Sequence, residues 1–292
     1  MPRFGLFTPQ VRQDFEQLLE RARLAERLGY DSIWLMDHLA APALRTADCL
    51  EAWTVATALL ARTETLRVGH LVLCNAFRHP AVLAKMVASL DRISGGRLEL
   101  GIGSGSVERE LIEFGFGGEN ATQRSERLGE ALEVITRLLG GEEVSYQGKY
   151  YQLKGAIARP PPIQSPLPIH VGGAGKKFTL PWASQLGSWW NCPSYGVKDL
   201  EELIPLARPA KISVQHPVAL IRREEDREKV TALAEKRFGA WGGLLIGNAD
   251  ELSEQFRREA DWGVEMFIIQ FHDFGTPESL QAFAEGVLPN FR

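Results

Sequence analysis

Three short stretches hold residues whose types and spacing could do chemistry. Asp37-His38 sets a carboxylate beside an imidazole, directly after the apolar run Asp31–Met36. Imidazoles titrate near neutrality, so His38 is the side chain best suited to give or take a proton. Neighbouring residues at a strand end point to opposite faces, so only one of the two turns fully inward. The plainer alternative is an Asp that caps the next loop beside a half-exposed His. Gly101-Ile102-Gly103-Ser104-Gly105 comes close to the dinucleotide fingerprint GxGxxG, but its third glycine arrives one residue early. Glycines so placed let a backbone or a flat ring approach closely, and they also serve in ordinary tight turns. Val171-Gly172-Gly173-Ala174-Gly175-Lys176 passes from apolar to small residues before a helix. Free backbone N–H groups there would suit a phosphate, with Lys176 and Lys177 adding charge. A flexible turn with solvated lysines fits the same letters.

The elements that must position these residues alternate along the chain. Phe4–Thr8 reads as a strand, and Asp14 caps a helix that carries Leu18, Leu19, Ala22, Ala25 and Leu28 on one face until Gly29. Strands are expected at Asp31–Met36, Leu66–Leu73 and Arg97–Gly103, with helices at Glu51–Arg62, Pro80–Ile93 and Ser125–Leu139. Residues 142–153 alternate around Gln147-Gly148 as a β-hairpin would, and five prolines between Ala158 and Pro168 make an extended connector. Alternation then resumes with strands at Pro168–Val171, Ser188–Asn191, Lys211–Leu220 and Glu265–Phe271. Helices are expected at Lys176–Leu186, Arg223–Phe238, Asp250–Trp262 and Pro277–Leu288. This rhythm predicts one α/β domain over residues 1–292, a (β/α)8 TIM barrel with a small insertion (142–168) after the fourth helix. Active sites of such barrels lie at the C-terminal strand ends. That rule selects the three stretches above and adds Leu71–Pro80.

Composition narrows the function. Of 292 residues, 45% are hydrophobic and 24% charged, which is enough for a sizeable core. A formal net charge of -4 argues against nucleic-acid binding. No long apolar run suggests a signal peptide or a membrane span. Cys49, Cys74 and Cys192 form neither a disulfide framework nor a zinc pattern, so a reduced, cytoplasmic setting is expected. The other five histidines stand singly, without HxH or HExxH spacing, and no metal is expected.

Ala25-Glu26-Arg27-Leu28-Gly29-Tyr30-Asp31-Ser32-Ile33-Trp34, running into Asp37-His38, resembles the second-strand signature of the bacterial luciferase-like superfamily. Arg78-His79-Pro80-Ala81 and the block Leu90–Gly103 resemble its third-helix and fourth-strand signature. Pro168–Gly173 and Phe283–Pro289 also fit, so the resemblance spans nearly the whole chain. It implies a barrel that binds FMN or coenzyme F420 across its mouth and either transfers a hydride or oxygenates a small organic substrate. It also implies a non-prolyl cis peptide at Leu71–Val72, against which the ring lies. Asp37 would face the ring or its side chain, and His38 would handle the proton. Gly172 and Gly173 would hold the cofactor phosphate through backbone N–H groups. Gly103, Ser106 and Asn75 join the cofactor pocket in this reading, with Trp190 as a wall. A homodimer is expected by the same analogy, with a flavin reductase as partner if FMN is used.

Several positions depart from the pattern. Deazaflavin-dependent sugar-phosphate dehydrogenases of this superfamily carry a Glu where Ser106 stands, and a Trp soon after the Asp-His pair, where this chain has Leu39-Ala40-Ala41-Pro42. The usual Ala-Asp-Gly-Trp-Asn stands here as Gly187-Ser188-Trp189-Trp190-Asn191, and Trp189 is expected to crowd the pocket. Ser106 and Trp189 therefore keep open a second expectation, a catalytically degenerate cofactor-binding protein or the partner subunit of a heterodimeric oxygenase.

Overall fold

A computed structural model describes residues 1–42 and 44–292. Its strands are β1 (Arg3–Phe7), β2 (Ser32–Leu35), β3 (Arg67–His70), β4 (Leu73–Cys74), β5 (Leu98–Gly103), β6 (Glu143–Gln147), β7 (Gln152–Ile157), β8 (Ile169–Gly172), β9 (Trp189–Cys192), β10 (Lys211–Leu220), β11 (Leu245–Gly247) and β12 (Val264–Phe271). Its helices are α1 (Phe15–Leu28), α2 (Ala52–Arg62), α3 (Pro80–Ile93), α4 (Glu108–Glu113), α5 (Ala121–Leu139), α6 (Thr179–Gln185), α7 (Leu200–Ala207), α8 (Arg227–Phe238), α9 (Ala249–Asp261) and α10 (Pro277–Gly286). Parallel pairing runs β1–β2–β3–β5–β8–β9–β10–β12 and returns to β1, which closes the barrel. With β3 and β4 taken as one interrupted strand, this is the eight-stranded α/β barrel expected. Asp14 caps α1 and Gly29 ends it in the left-handed region, as the sequence predicts.

Burial on both faces explains why the strands read as near-continuous apolar runs. Outward residues such as Ile33, Val68, Leu100 and Ile269 pack under the helices. Inward residues Phe7, Trp34, Met36, Trp189, Met266 and Ile268 form a second cluster inside the barrel. Trp34 fits there because Gly5 and Gly69 carry no Cβ; one built on either would stand 2.5 Å from its indole. Below this layer lies a buried charged one. Glu99 accepts from Arg3 at 2.8 Å and bonds His170 Nε2 at 2.8 Å, and Arg67 reaches the same carboxylate. Burial alone would raise the Glu99 carboxyl, but His170, Arg3 and Arg67 together hold it well below the usual carboxylate range.

Four differences from the expected pattern have local causes. The third strand breaks at Leu71–Val72, where the peptide is cis, into β3 and β4. The long helix begins earlier than Ser125, at Ala121, because Asn120 and Gln123 make a reciprocal capping box. Helices α4 and α7 and strand β11 fall where periodicity is too short to read. The hairpin forms as β6–β7, outside the barrel sheet, but turns through Gly148–Tyr151 rather than at Gln147-Gly148 alone.

Candidate active site

The C-terminal strand ends surround a cavity of about 280 Å³. Its walls bring together Asp37, His38, Leu71, Val72, Gly103, Ser106, Gly172 and Gly173, all singled out from the sequence. Asn75 is not among them. It is buried beyond β4, where its Nδ2 donates to the Tyr151 hydroxyl at 3.4 Å and its Oδ1 has no partner among the described residues.

His38 is half-buried at the end of β2. Its Nδ1 lies 2.9 Å from Glu110 Oε2, on α4. Glu110 Oε1 meanwhile accepts from the Leu39 N–H at 2.6 Å and the Ala40 N–H at 3.0 Å. A carboxylate can only accept here, so Nδ1 is the donor of this bond, and Nε2 has no partner among the described residues. Glu110 is the residue that sequence reasoning missed. Its helix is six residues long, and only the alternation of Leu111 and acids around it marks that segment at all.

Asp37 also lines the cavity, yet its carboxylate is engaged behind the wall. Oδ2 accepts from the Cys74 N–H at 2.8 Å, and both oxygens receive the Arg78 fork at 2.7 and 3.0 Å. Its visible work is to tie β2 to the segment after the bulge. Burial pushes the Cys49 and Cys74 thiols up to about 11, so neither is a thiolate nucleophile at neutral pH.

The glycines have a packing reason. A Cβ on Gly103 or Gly172 would stand 2.7 Å from the Val72 methyls, so bare backbone on β5 and β8 lets the bulge press inward. The Gly173 N–H donates to the Asn191 carbonyl at 3.1 Å, and is thus not the free phosphate donor that the resemblance implied. The Gly173 carbonyl in turn accepts from Trp190 Nε1 at 2.7 Å. Trp190 is buried in the outer core and braces the loop from behind, so it is not a pocket wall. Trp189 is corrected too. It stacks on His170 inside the barrel, with Arg3 and Lys211 over its ring at the opposite, N-terminal mouth, and does not crowd the cavity.

The donor set suits a flavin-type ring. Leu71 and Val72 offer an apolar wall for a flat face, while Ser104, Thr179, Asn191 and Gln215 offer hydroxyls and amides for a polar edge. Asn191 Nδ2 donates to Ser213 Oγ at 3.1 Å, which fixes the amide and leaves its oxygen as the acceptor.

Comparison with known proteins places this geometry in a family. The model for luciferase-like monooxygenases matches residues 1–231. An F420-dependent glucose-6-phosphate dehydrogenase of Amycolatopsis mediterranei is 30% identical over 84% of this chain and 76% of its own. One from Microbacterium testaceum is 36% identical over 61% of this chain, a match that spans only 52% of that protein. Among solved structures, an F420-dependent secondary alcohol dehydrogenase in complex with an F420-acetone adduct aligns with a TM-score of 0.85 at 19% identity, covering 100% of this chain and 99% of that one. The chain belongs to the luciferase-like monooxygenase family, and the oxidoreductase class follows with it. No helix among the described residues is long and apolar enough to cross a membrane.

Proposed function

We propose that the protein is an F420-dependent dehydrogenase that interconverts a small uncharged alcohol and its carbonyl, with His38 as general acid/base. The observation that carries this reading is the His38–Glu110 pair at the cavity wall, with Nε2 free of any partner among the described residues. The F420 dependence printed for relatives that align along most of the chain supports the choice of cofactor. A bound deazaflavin supplies a two-electron hydride acceptor and donor that reacts poorly with O2.

The chain's own residues would do the rest. Val72, Leu71, Gly103 and Gly172 would hold the ring face, and Asn191 and Gln215 its polar edge. Ser106, at the exposed rim, and Gly173 would border the remainder of the cofactor. His38 Nε2 would take the hydroxyl proton as the hydride leaves and return it in the reverse direction. Glu110 would hold Nδ1–H, fix the productive tautomer and stabilise the imidazolium that forms.

The sugar-phosphate substrate of the relatives is not carried over. Among the described residues lining the cavity there is no Lys or Arg to meet a phosphate, and Ser106 replaces the expected Glu. The degenerate reading, for its part, loses Trp189, which stands at the far end of the barrel. The test is steady-state assay of F420 reduction with a panel of secondary alcohols and with glucose 6-phosphate. Turnover of an alcohol alone supports the proposal; turnover of the sugar phosphate alone overturns its substrate half.

A further inference from the structure

A second concavity, of about 760 Å³, runs along the outside of the barrel between α1 and the start of α10. It shares no lining residue with the cavity at the strand ends. Arg12, Arg21, Arg23 and Arg27 line it, against a single acid, Glu20, while Pro277 and Leu280 form the facing wall. Elsewhere several arginines of this acidic chain are paired: Arg45 and Arg109 with Glu113, Arg127 with Glu119, Arg137 with Glu142, Arg227 with Glu224. The four in the cleft form no ion pair and no side-chain hydrogen bond with the described residues. Glu20 lies three residues before Arg23, a spacing that brings helical side chains together, and still they are unpaired.

Two further observations mark the cleft as unfinished. Arg21 Nη1 is buried with no hydrogen-bond partner. Burial lowers this guanidinium from the ordinary arginine value, an effect that the charge of Asp273 offsets only in part. Asp273 is itself committed to Thr276, Ser279 and the Gly275 N–H. Arg12 holds a left-handed backbone at φ 54°, uncommon for a residue with a side chain, pinned by its N–H to the Asp48 carbonyl at 2.9 Å.

We propose that this cleft binds a small oligophosphate anion. Guanidinium forks match phosphate oxygens in pairs. Four arginines against Glu20 and the neighbouring Asp273 leave an excess of two positive charges, which calls for a multivalent ligand rather than a single carboxylate. The volume lies within the roughly 300–1,000 Å³ usual for small-molecule sites.

Calorimetric titration of the purified full chain with tripolyphosphate at low salt tests this, with adenosine triphosphate as a second arm to tell a free oligophosphate from a nucleotide-borne one. The expected result is one saturable site that weakens as salt rises. Arg21→Gln should lower affinity by about tenfold or more, as loss of a charged hydrogen bond would. The exposed pair Arg12→Ala/Arg27→Ala should do the same, which keeps the test sound if Arg21→Gln fails to fold, and Glu20→Gln should tighten binding. Equal loss of both ligands in the variants supports the site, whichever binds tighter. Absence of binding overturns it, as does equal affinity in every variant, or binding of a DNA oligonucleotide or an acidic peptide where tripolyphosphate fails.

Discussion

At position 38 the chemistry turns on which ring nitrogen carries the proton. Glu110 decides this by accepting from Nδ1, and the same carboxylate fastens the Leu39 and Ala40 amides, so loop and ring are set together. His38→Ala should lower kcat by about 10²–10⁴-fold while F420 affinity stays nearly constant. Glu110→Gln should cost at least about tenfold in kcat and alter the pH–rate profile, because the amide can present its N–H to the ring and favour the wrong tautomer. Steady-state kinetics beside a fluorescence titration separates the two effects. His70 tests burial rather than catalysis. Its ring is fully buried and stacks on Trp53, and burial pulls it from 6.5 to about 4. Between those values the unfolded chain binds a proton that the folded chain refuses, so stability falls as pH drops through that window. His70→Phe should flatten that part of the profile without loss of stability at pH 7, as denaturant melts across the range would report.

The elements explain why some of the site was legible and some was not. His38 stood out because its residue type and its place after an apolar run both point to strand-end chemistry. The two-glycine stretches were visible as letters, but their physical cause, the Val72 bulge pressed between β5 and β8, is a contact between distant segments that no local pattern carries. Trp189 misled for a related reason. Strand β9 runs Trp189–Cys192, and alternation places Trp189 and Asn191 inside the barrel, two residues apart along its axis. Asn191 reaches the cavity while Trp189 stays near the opposite mouth. Trp189→Ala should therefore cost about 3–5 kcal/mol of stability and leave kcat/KM for the folded enzyme unchanged. The glycines can be graded in the same way. An alanine at 172 meets a Val72 methyl and should cost about 1–3 kcal/mol, whereas one at 101 would fall on the His70 carbonyl, which cannot rotate away, and should cost more. Denaturant unfolding of both variants gives the order.

For the molecule as a whole, strand–helix alternation made the barrel readable, because each inward and outward face must be buried on closing. Cofactor choice was not readable, since FMN and F420 present similar rings to the same apolar wall and amide edge. Relatives that align along most of the chain tip the proposal toward the deazaflavin. The most direct test is an equilibrium fluorescence titration of the purified protein with F420 and, separately, with FMN. The account predicts saturable F420 binding in the micromolar range or tighter, with FMN far weaker. Tight FMN binding without measurable F420 binding would contradict it and favour oxygenation supplied by a reductase.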